Sequence, residues 1–549
     1  MLLDAESAFD VVLKELLIKN LYSCNTTGHT LLYLNNRVEN RQTFIDWEGQ
    51  LVGPIHDECG LEQGGVNSSD FYKIFGKEQL TTAQDSCLGV KLGNLTVSGI
   101  GQADDTGLTS NDLRSLQYLL HLSQVFCNKY HVKLSSEKTK LLVFSTKQMK
   151  TEVKYAKMTN PIKIDGVKVD FVDSAEHVGL LRSTEGNSVS IFARIKAHKK
   201  ALGAVLHTGM ARGHRGNPAA SLRVVQLYGV PVLLSGLAAL VLNKAEETII
   251  EQHHKQLLMN IQRLRPCTPR SVTYFLAGSL PGAALLHLRQ LSIFGMVCRL
   301  PENILHQHAV NIFTSSTIST KSWFTQIRQL CLQYSLPHPL HLLQCSFTKE
   351  QFKKLVKKHV LDYWEQNLRI EAAPLTSLFF FNPDFMSLSS PHALWTTAGS
   401  SPSKISMATV QAEMISGRYR SELLCSNWSK NTEGFCLLSP SCSTTVEDVQ
   451  HILSTCSALQ PTRVKLMKFT TNYCTSVPPP VKELLEKLCD PSSSSFCQFL
   501  LDCSVLPSVI SATQQDGFSV LQHLFHVSRT WTYTLHKERM KQLGRWNPI

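Results

Sequence analysis

The decapeptide GQADDTGLTS, residues 101–110, sets Asp104 and Asp105 side by side at a bend between a short apolar stretch and small polar residues. Two carboxylates held together raise each other's pKa, and a divalent cation between them relieves the repulsion. Mg²⁺ suits the position, because this hard ion binds through one or two carboxylates together with substrate phosphates. A third acid, Asp4, ends the apolar opening run MLLDA. If that run lies beside the bend, Asp4 and Asp104 face each other at one edge. Such a set holds two metals about 4 Å apart, which activates an attacking hydroxyl and neutralises a leaving pyrophosphate. The plainer alternative is an exposed Asp-Asp turn. A second set with metal chemistry lies far along the chain, in CLLSPSCSTTVEDVQHILSTC. There Cys436, Cys442, His451 and Cys456 offer three thiols and one imidazole, the ligand types of a closed structural Zn²⁺ site. Five residues separate the first two cysteines, a wider interval than in common knuckles, and unpaired buried cysteines are the alternative reading.

The elements that must position the acids are legible in outline. MLLDA suits a buried strand, and the residues from Ser7 into VVLKELLIKN take on helical spacing. TGHTLLYLNNRVENRQTFIDWEGQLVGP reads as mixed and turn-rich, and GLEQGGVNSSDFYKIF as a Gly-rich loop leading into a helix. GVKLGNLTVSGIGQADDTGLTS is the clearest hairpin: a Gly93-Asn94 turn, Leu95 and Val97 alternating against Thr96 and Ser98, and a second bend at the acids. A helix is expected from about Ser110, as N-cap, to Tyr130, then a strand KLLVFST, then EHVGLLRS. That order predicts an α+β sheet with helices on one face.

Composition bounds the remainder. At 549 residues the chain exceeds one compact core, and its net charge of +12 is compatible with a polyanionic partner without requiring one. The 16 cysteines are scattered, and MLLDAESAFD lacks the basic start of a secretory signal, so a reducing, intracellular setting and a soluble protein are expected. The tripeptides at Asn94 and Asn427 fit a glycosylation pattern that matters only on secretion. The uncharged stretch Val224 to Leu242 has the length of a membrane span, but Pro231, Gln226 and two glycines interrupt it, and a buried helix pair is the stronger reading. From Ser188 to Leu300 the chain reads helical and basic: Arg194, Lys196, Lys199 and Lys200 recur along one amphipathic helix, and Arg212, His214 and Arg215 occupy a Gly-containing loop. Such charge tracks a nucleic-acid backbone without reading bases, although solvated helix faces carry lysines too.

The ordered set LLDAESAFDVV, GLEQGGVNSSDFYKIF, GQADDTGLTS, KLSSEKTKLLVF and EHVGLLRS resembles motifs A to E of a reverse transcriptase palm, nearest to non-LTR, LINE-type retrotransposons. The resemblance implies a palm over residues 1–187, an α-helical thumb over 188–300, a helical linker region over 301–420, a Cys/His zinc module over 421–460 and a helical C-terminal tail over 461–549. It implies an RNA-directed DNA polymerase that uses two Mg²⁺ ions, with an RNA template, a DNA primer and dNTPs as partners, and nuclear access. Asp4 and Asp104 would hold the metals, Asp105 would complete the pair, and Ala5 would lend only its backbone carbonyl. Phe9 would exclude a ribose 2′-hydroxyl by sterics; an ordinary core aromatic is the alternative. Gln63 and Gly64 would form the loop approached by the incoming nucleotide. Lys138 would donate a proton to pyrophosphate, or would be a solvated lysine. A Cys/His cluster behind the thumb is a feature of these elements, which supports the Zn²⁺ reading.

There are departures. Gln102 stands where an aromatic is usual, and Glu62 and Gly65 replace the commoner Pro and Ser, which points to a subfamily. The chain opens at the motif A strand itself, so the expectation is an N-terminally truncated fragment lacking most of the fingers. A catalytically dead fragment that only binds RNA is therefore the alternative function.

Overall fold

The computed structural model of the chain describes residues 1–39, 41–144, 150–159, 162–205, 216–301, 303–314, 322–427 and 433–545. It divides into two units, Met1–Ala193 with Leu300–Thr320, and Arg194–Arg299 with Lys321–Ile549.

The first unit is mixed α+β. Its main sheet uses β1 (Leu2–Leu3), β2 (Gly99–Gln102), β3 (Asp105–Leu108), β4 (Lys140–Leu141) and β5 (Asp170–Phe171) in the order β5-β4-β1-β3-β2. β1 pairs antiparallel with β3, Leu2 opposite Gly107 and Leu3 opposite Thr106. β2 and β3 form a hairpin closed by Ala103 and Asp104, with Ala103 at φ +54°. Side chains alternate across a strand, so Leu3, Thr106 and Leu108 point into the core and are buried. That core also takes Leu17 and Leu21 from the helix Lys14–Ser23, Phe71, Tyr72 and Phe75 from Ser68–Phe75, and Leu116, Leu119, Leu120 and Phe126 from Leu113–Lys129. Their three-and-four spacing is the apolar stripe of a core-facing helix. Phe75 meets the edges of Phe126 and Tyr130 at centroid distances of 5.8 and 5.9 Å, contacts that add about 1 kcal/mol each beyond their buried area.

Several local expectations change. The helix after the acids is capped by Asp112, whose carboxylate accepts the Ser115 N–H at 2.8 Å, while the Ser110 hydroxyl donates to the Leu88 carbonyl. The first helix begins at Lys14, after a turn over 7–11, not at Ser7. The segment read as turn-rich contains a helix, Gly28–Glu39, and a hairpin, Gln42–Trp47 with Gln50–His56. Glu48 and Gly49 both have positive φ, +51° and +84°, as a two-residue hairpin turn requires. The expected strand KLLVFST is ordered as a strand only at Lys140–Leu141, and residues 145–149 lie outside the described residues. The Gly93-Asn94 hairpin forms as expected, Val90–Leu92 with Leu95–Val97.

The second unit has no strand among its described residues; Phe435 and Val446 make an isolated bridge. Its longer helices include Lys244–Gln262, Gly282–Cys298, Lys349–Ala372, Pro402–Ile415 and Pro507–Gln542. Asn243 and Glu246 form a reciprocal capping box at the start of the first of these. The helices Pro402–Ile415 and Glu422–Ser426 are separated at Gly417, whose φ is +64° and where a Cβ would lie 2.2 Å from the Ser377 carbonyl oxygen. The apolar stretch at Val224 to Leu242 is split among Pro218–Val224, Val225–Gly229, Val230–Leu233 and Leu237–Ala239, with Leu233, Leu234 and Leu237 buried. Among the described residues one continuous window, Phe496–Thr513, has the length and apolarity to cross a bilayer, and 56% of it is buried inside the unit.

Residues 461–549, expected as a tail, include well-packed helices. Trp531 is fully buried and donates to Thr470 Oγ1 at 2.9 Å. Arg539, 1% exposed, places Nη2 2.5 Å from Glu447 Oε1 and 3.6 Å from Glu422 Oε1, and Arg545 reaches the same Glu422 oxygen at 2.7 Å. Two buried carboxylates thus share one buried guanidinium, which fastens the segment around Glu447 to the last helix. Replacing Arg539 with Met leaves Glu447 buried without its counter-charge, and we expect a loss of about 3–5 kcal/mol in chemical denaturation of the second unit. A loss below about 1 kcal/mol would show that the network is solvated.

Candidate functional site

The antiparallel register decides which acids meet. Leu2 and Gly107 share one sheet face, Leu3 and Thr106 the other, so continuing the ladder by one residue brings Asp4 toward Asp105 on the face away from the core. Asp104 sits beside them in the turn. The strand partner in line with Asp4 is therefore Asp105, whereas the sequence pattern pointed to Asp104. The electrostatics agree with this convergence: burial, then the Asp104 charge, with Asp4 and Glu176 adding, raises the Asp105 carboxyl above the ordinary aspartate range, and His177 opposes the shift. Among the described residues the three acids are not all gathered within 4.8 Å of one another.

Asp4 is held by its backbone. Its N–H donates to Thr139 Oγ1 at 3.3 Å and its carbonyl accepts the Ser135 N–H at 2.9 Å. The same segment delivers Lys138, whose Nζ lies 3.6 Å from Asp4 Oδ2. Oδ2 itself is shielded from solvent and accepts no hydrogen bond within the structure, and the Lys138 ammonium is its cationic neighbour. The Asp4–Lys138 pair is exposed at 40% and 69%, so it contributes little to stability. Ala5 pairs with Leu134 in a short second ladder.

The loop 59–67 is pinned over the turn that follows Asp4. Gly60 N–H donates to the Val12 carbonyl and Leu61 N–H to that of Phe9, both at 2.8 Å. Phe9 is half-buried, with its ring 5.1 Å from that of Tyr72. Gln63 donates to Asp10 Oδ1 at 3.3 Å. Gly64 has φ +83° and open space around a would-be Cβ, whereas a Cβ on Gly65 would lie 2.6 Å from Ser68 Oγ. A cavity of about 470 Å³ adjoins this loop, lined by Arg37, Arg41, Thr43, Glu62, Asn67 and Ser68 among others.

Sequence reasoning missed three side chains here. Tyr72 has its hydroxyl pKa raised by burial and then by the Asp104 charge, so it stands near the acids. Glu176 and His177, on the strand Ser174–His177, act electrostatically on Asp105, and His177 Nε2 is buried without a partner. The sequence marks EHVGLLRS as a motif; only the fold brings the charges of its first two residues close enough to act on Asp105.

The Cys/His set converges completely. One ligand atom from each of Cys436, Cys442, His451 and Cys456 lies within 4.8 Å of all the others, and all four residues are buried. The Cys436 and Cys456 sulfurs are 3.9 Å apart, too far for a disulfide and close to the roughly 3.8 Å edge of a tetrahedron built on Zn–S bonds of about 2.3 Å. His451 Nδ1 is 3.0 Å from Thr455 Oγ1, which leaves Nε2 as the ring's ligand atom, and that nitrogen is buried with no partner. A narrow chain reversal sets this up: Cys436 N–H donates to Thr445, Thr445 N–H to Cys442, and Glu447 N–H to Gly434. Buried Arg463 donates to the Cys456 carbonyl, and the Cys456 and Cys442 thiols act on its charge. This set can hold a metal ion.

The basic helix Ser188–Val205 exposes Lys196, Lys199 and Lys200 and half-exposes Arg194, while Ile191, Ile195, His198 and Leu202 form its buried stripe. Arg212, His214 and Arg215 lie outside the described residues.

The Asp105 shift has a consequence for stability. A carboxyl whose folded pKa is raised costs stability once ionised, and the cost grows as pH rises from the ordinary aspartate range through the raised value. Without divalent cations, Asp105→Asn should raise the thermal midpoint at pH 7, and the gain should vanish near pH 3, where wild-type Asp105 is also neutral. An equal gain at both pH values would place the effect outside electrostatics.

No curated protein matches the chain. Residues 1–168, which hold the acids, Phe9, the 59–67 loop and Lys138, match the family of reverse transcriptases (RNA-dependent DNA polymerases).

Proposed function

We propose that the first unit is the catalytic palm of a LINE-type reverse transcriptase, which extends a DNA primer with dNTPs on an RNA template by two-metal nucleotidyl transfer. The observation that carries this reading is the convergence of Asp4 and Asp105, with Asp104 in the adjoining turn, inside the segment that matches the reverse transcriptase family. Asp4, Asp104 and the Ala5 carbonyl would hold two Mg²⁺ ions, which when bound lower the pKa of the attacking 3′-hydroxyl and neutralise the leaving pyrophosphate.

The chain's own residues do the positioning. Asp105 adds negative charge beside the ions and keeps the turn polar. The loop at Gln63 and Gly64 lies above Phe9, whose ring, braced by Tyr72, would block a 2′-hydroxyl on the incoming sugar. Lys138 reaches the acids through Asp4 and would neutralise or protonate pyrophosphate as it leaves. The Glu176 and His177 strand borders the same acids, where the primer end would lie. Lys196, Lys199 and Lys200 would follow the duplex backbone, and domain divisions near residues 187, 300, 420 and 460 belong to the same reading.

Primer extension by the full chain on an RNA template with Mg²⁺ tests it. Asp104→Asn should lower extension at least about a hundredfold, the order lost when one stabiliser of transition-state charge is removed. Extension that survives the substitution sinks the assignment; RNA retention with no extension by wild type supports the alternative, a chain that only binds RNA.

The Cys436, Cys442, His451, Cys456 set we read as a structural Zn²⁺ site: it is closed, buried and sulfur-rich, and does no chemistry. Protein from zinc-supplemented medium should carry one zinc per chain, and Cys456→Ser should abolish it and lower the thermal midpoint of the second unit. Wild type isolated without zinc, and unmoved by its addition, refutes the site.

A further inference from the structure

A cavity of about 300 Å³ in the second unit opens among the helices Pro402–Ile415, Gln460–Cys474 and Pro507–Gln542. Its wall includes Lys404, Tyr473, Gln522, His523, His526 and Arg529, and no acid lines it. Arg529 is 1% exposed and makes no carboxylate pair among the described residues. Its Nη2 donates to the Leu394 carbonyl at 2.6 Å and to Thr397 Oγ1 at 2.5 Å, and its Nη1 to the Thr397 carbonyl at 3.2 Å. Its Nε is buried and donates to nothing. Carbonyl dipoles satisfy hydrogen bonds but do not cancel a full charge, so the guanidinium leaves positive potential in the cavity. That potential reaches the neighbouring imidazole: after burial, the charges of Lys404, Arg529 and His523 all hold the His526 pKa down, with no acid opposing them. Burial alone pulls the Arg529 pKa down to about 10.

We propose that this cavity is a phosphate-binding site that takes one phosphodiester of an RNA strand. Lys404 and Arg529 supply the charge, Gln522 a further donor, and the adjoining rings of Tyr473 and His526, 5.1 Å apart, an apolar wall for the sugar. Two helices, Pro402–Ile415 with Lys404 and Pro507–Gln542 with Gln522 and Arg529, bring donors from different directions, which suits tetrahedral oxygens. The volume holds a phosphate with part of its nucleoside and is small for a larger ligand. The phosphate chemistry stands on the cavity alone; RNA as its source rests on the polymerase reading of the first unit.

Lys404 is exposed, so Lys404→Glu tests the site without disturbing the core. The full chain, without Mg²⁺, is titrated with inorganic phosphate by calorimetry and with a labelled single-stranded oligoribonucleotide by anisotropy. Lys354→Glu, another exposed lysine, serves as the charge control, and Arg529→Lys keeps the charge while losing the fork. We expect Lys404→Glu to abolish phosphate binding, to weaken RNA at least fivefold and to lower the salt slope of RNA binding by about 1, with Arg529→Lys weakening both and Lys354→Glu neither. Loss of phosphate binding with RNA unchanged assigns the site to a free phosphate or mononucleotide and overturns the RNA source. Wild type that binds neither probe, or equal effects from Lys404→Glu and Lys354→Glu, overturns the site. None of these readouts uses extension, so a failed polymerase assay leaves them intact.

Discussion

The first unit depends on an antiparallel pairing of two residues against two. Leu2 and Leu3 against Gly107 and Thr106 is a small contact, yet it determines which face every neighbouring side chain takes. A slip of one residue would turn Asp4 into the core beside Leu108 and expose Leu3, so the apolar pattern defends the register. The repulsion among Asp4, Asp104 and Asp105 opposes the same pairing. The sheet holds because Leu3, Leu108 and the helices behind them bury enough apolar surface to outweigh one strained electrostatic edge. A neutral pair there would make a more stable sheet, which accords with the cation-binding role proposed for these acids.

Legibility in the sequence followed range. The Gly93-Asn94 hairpin, the helix after the 59–67 loop and the bend at the acids were readable because turn chemistry and apolar period are local. The helix Gly28–Glu39 and the hairpin after it were misread because their side chains stay largely exposed, so little apolar alternation marks them. The partnership of Asp4 with Asp105 depends on a pairing across a hundred residues, which no local pattern records. Tyr72, Glu176 and His177 were missed for the same reason: each comes near the acids from a different part of the chain. The Cys/His set was legible as a candidate because residue types that bind metals announce themselves, whereas Arg463 and Thr455 around them did not.

The Cys/His set and the last helix make one mechanical argument. Glu447, nine residues before Cys456, accepts the buried Arg539 ion pair and the Glu422 N–H. A metal that closed the four ligands would fix the short reversal that carries Glu447, and so the anchor of the C-terminal helix. Binding energy spent on a structural ion then becomes folding energy for residues far from it.

The last helix also presents a contrast that sequence could not have shown. Arg529 and Arg539 lie on the same helix and are equally buried, but Arg539 has two carboxylates and Arg529 has none. The first is an ordinary buried salt bridge, costly to desolvate and costly to break. The second carries the desolvation cost with no Coulombic return, and methionine at that position would fill the volume without it. Carbonyl caps at Leu394 and Thr397 explain its orientation but not its charge. A buried charge with no internal partner is balanced only by an external one, and the cavity beside it supplies the room.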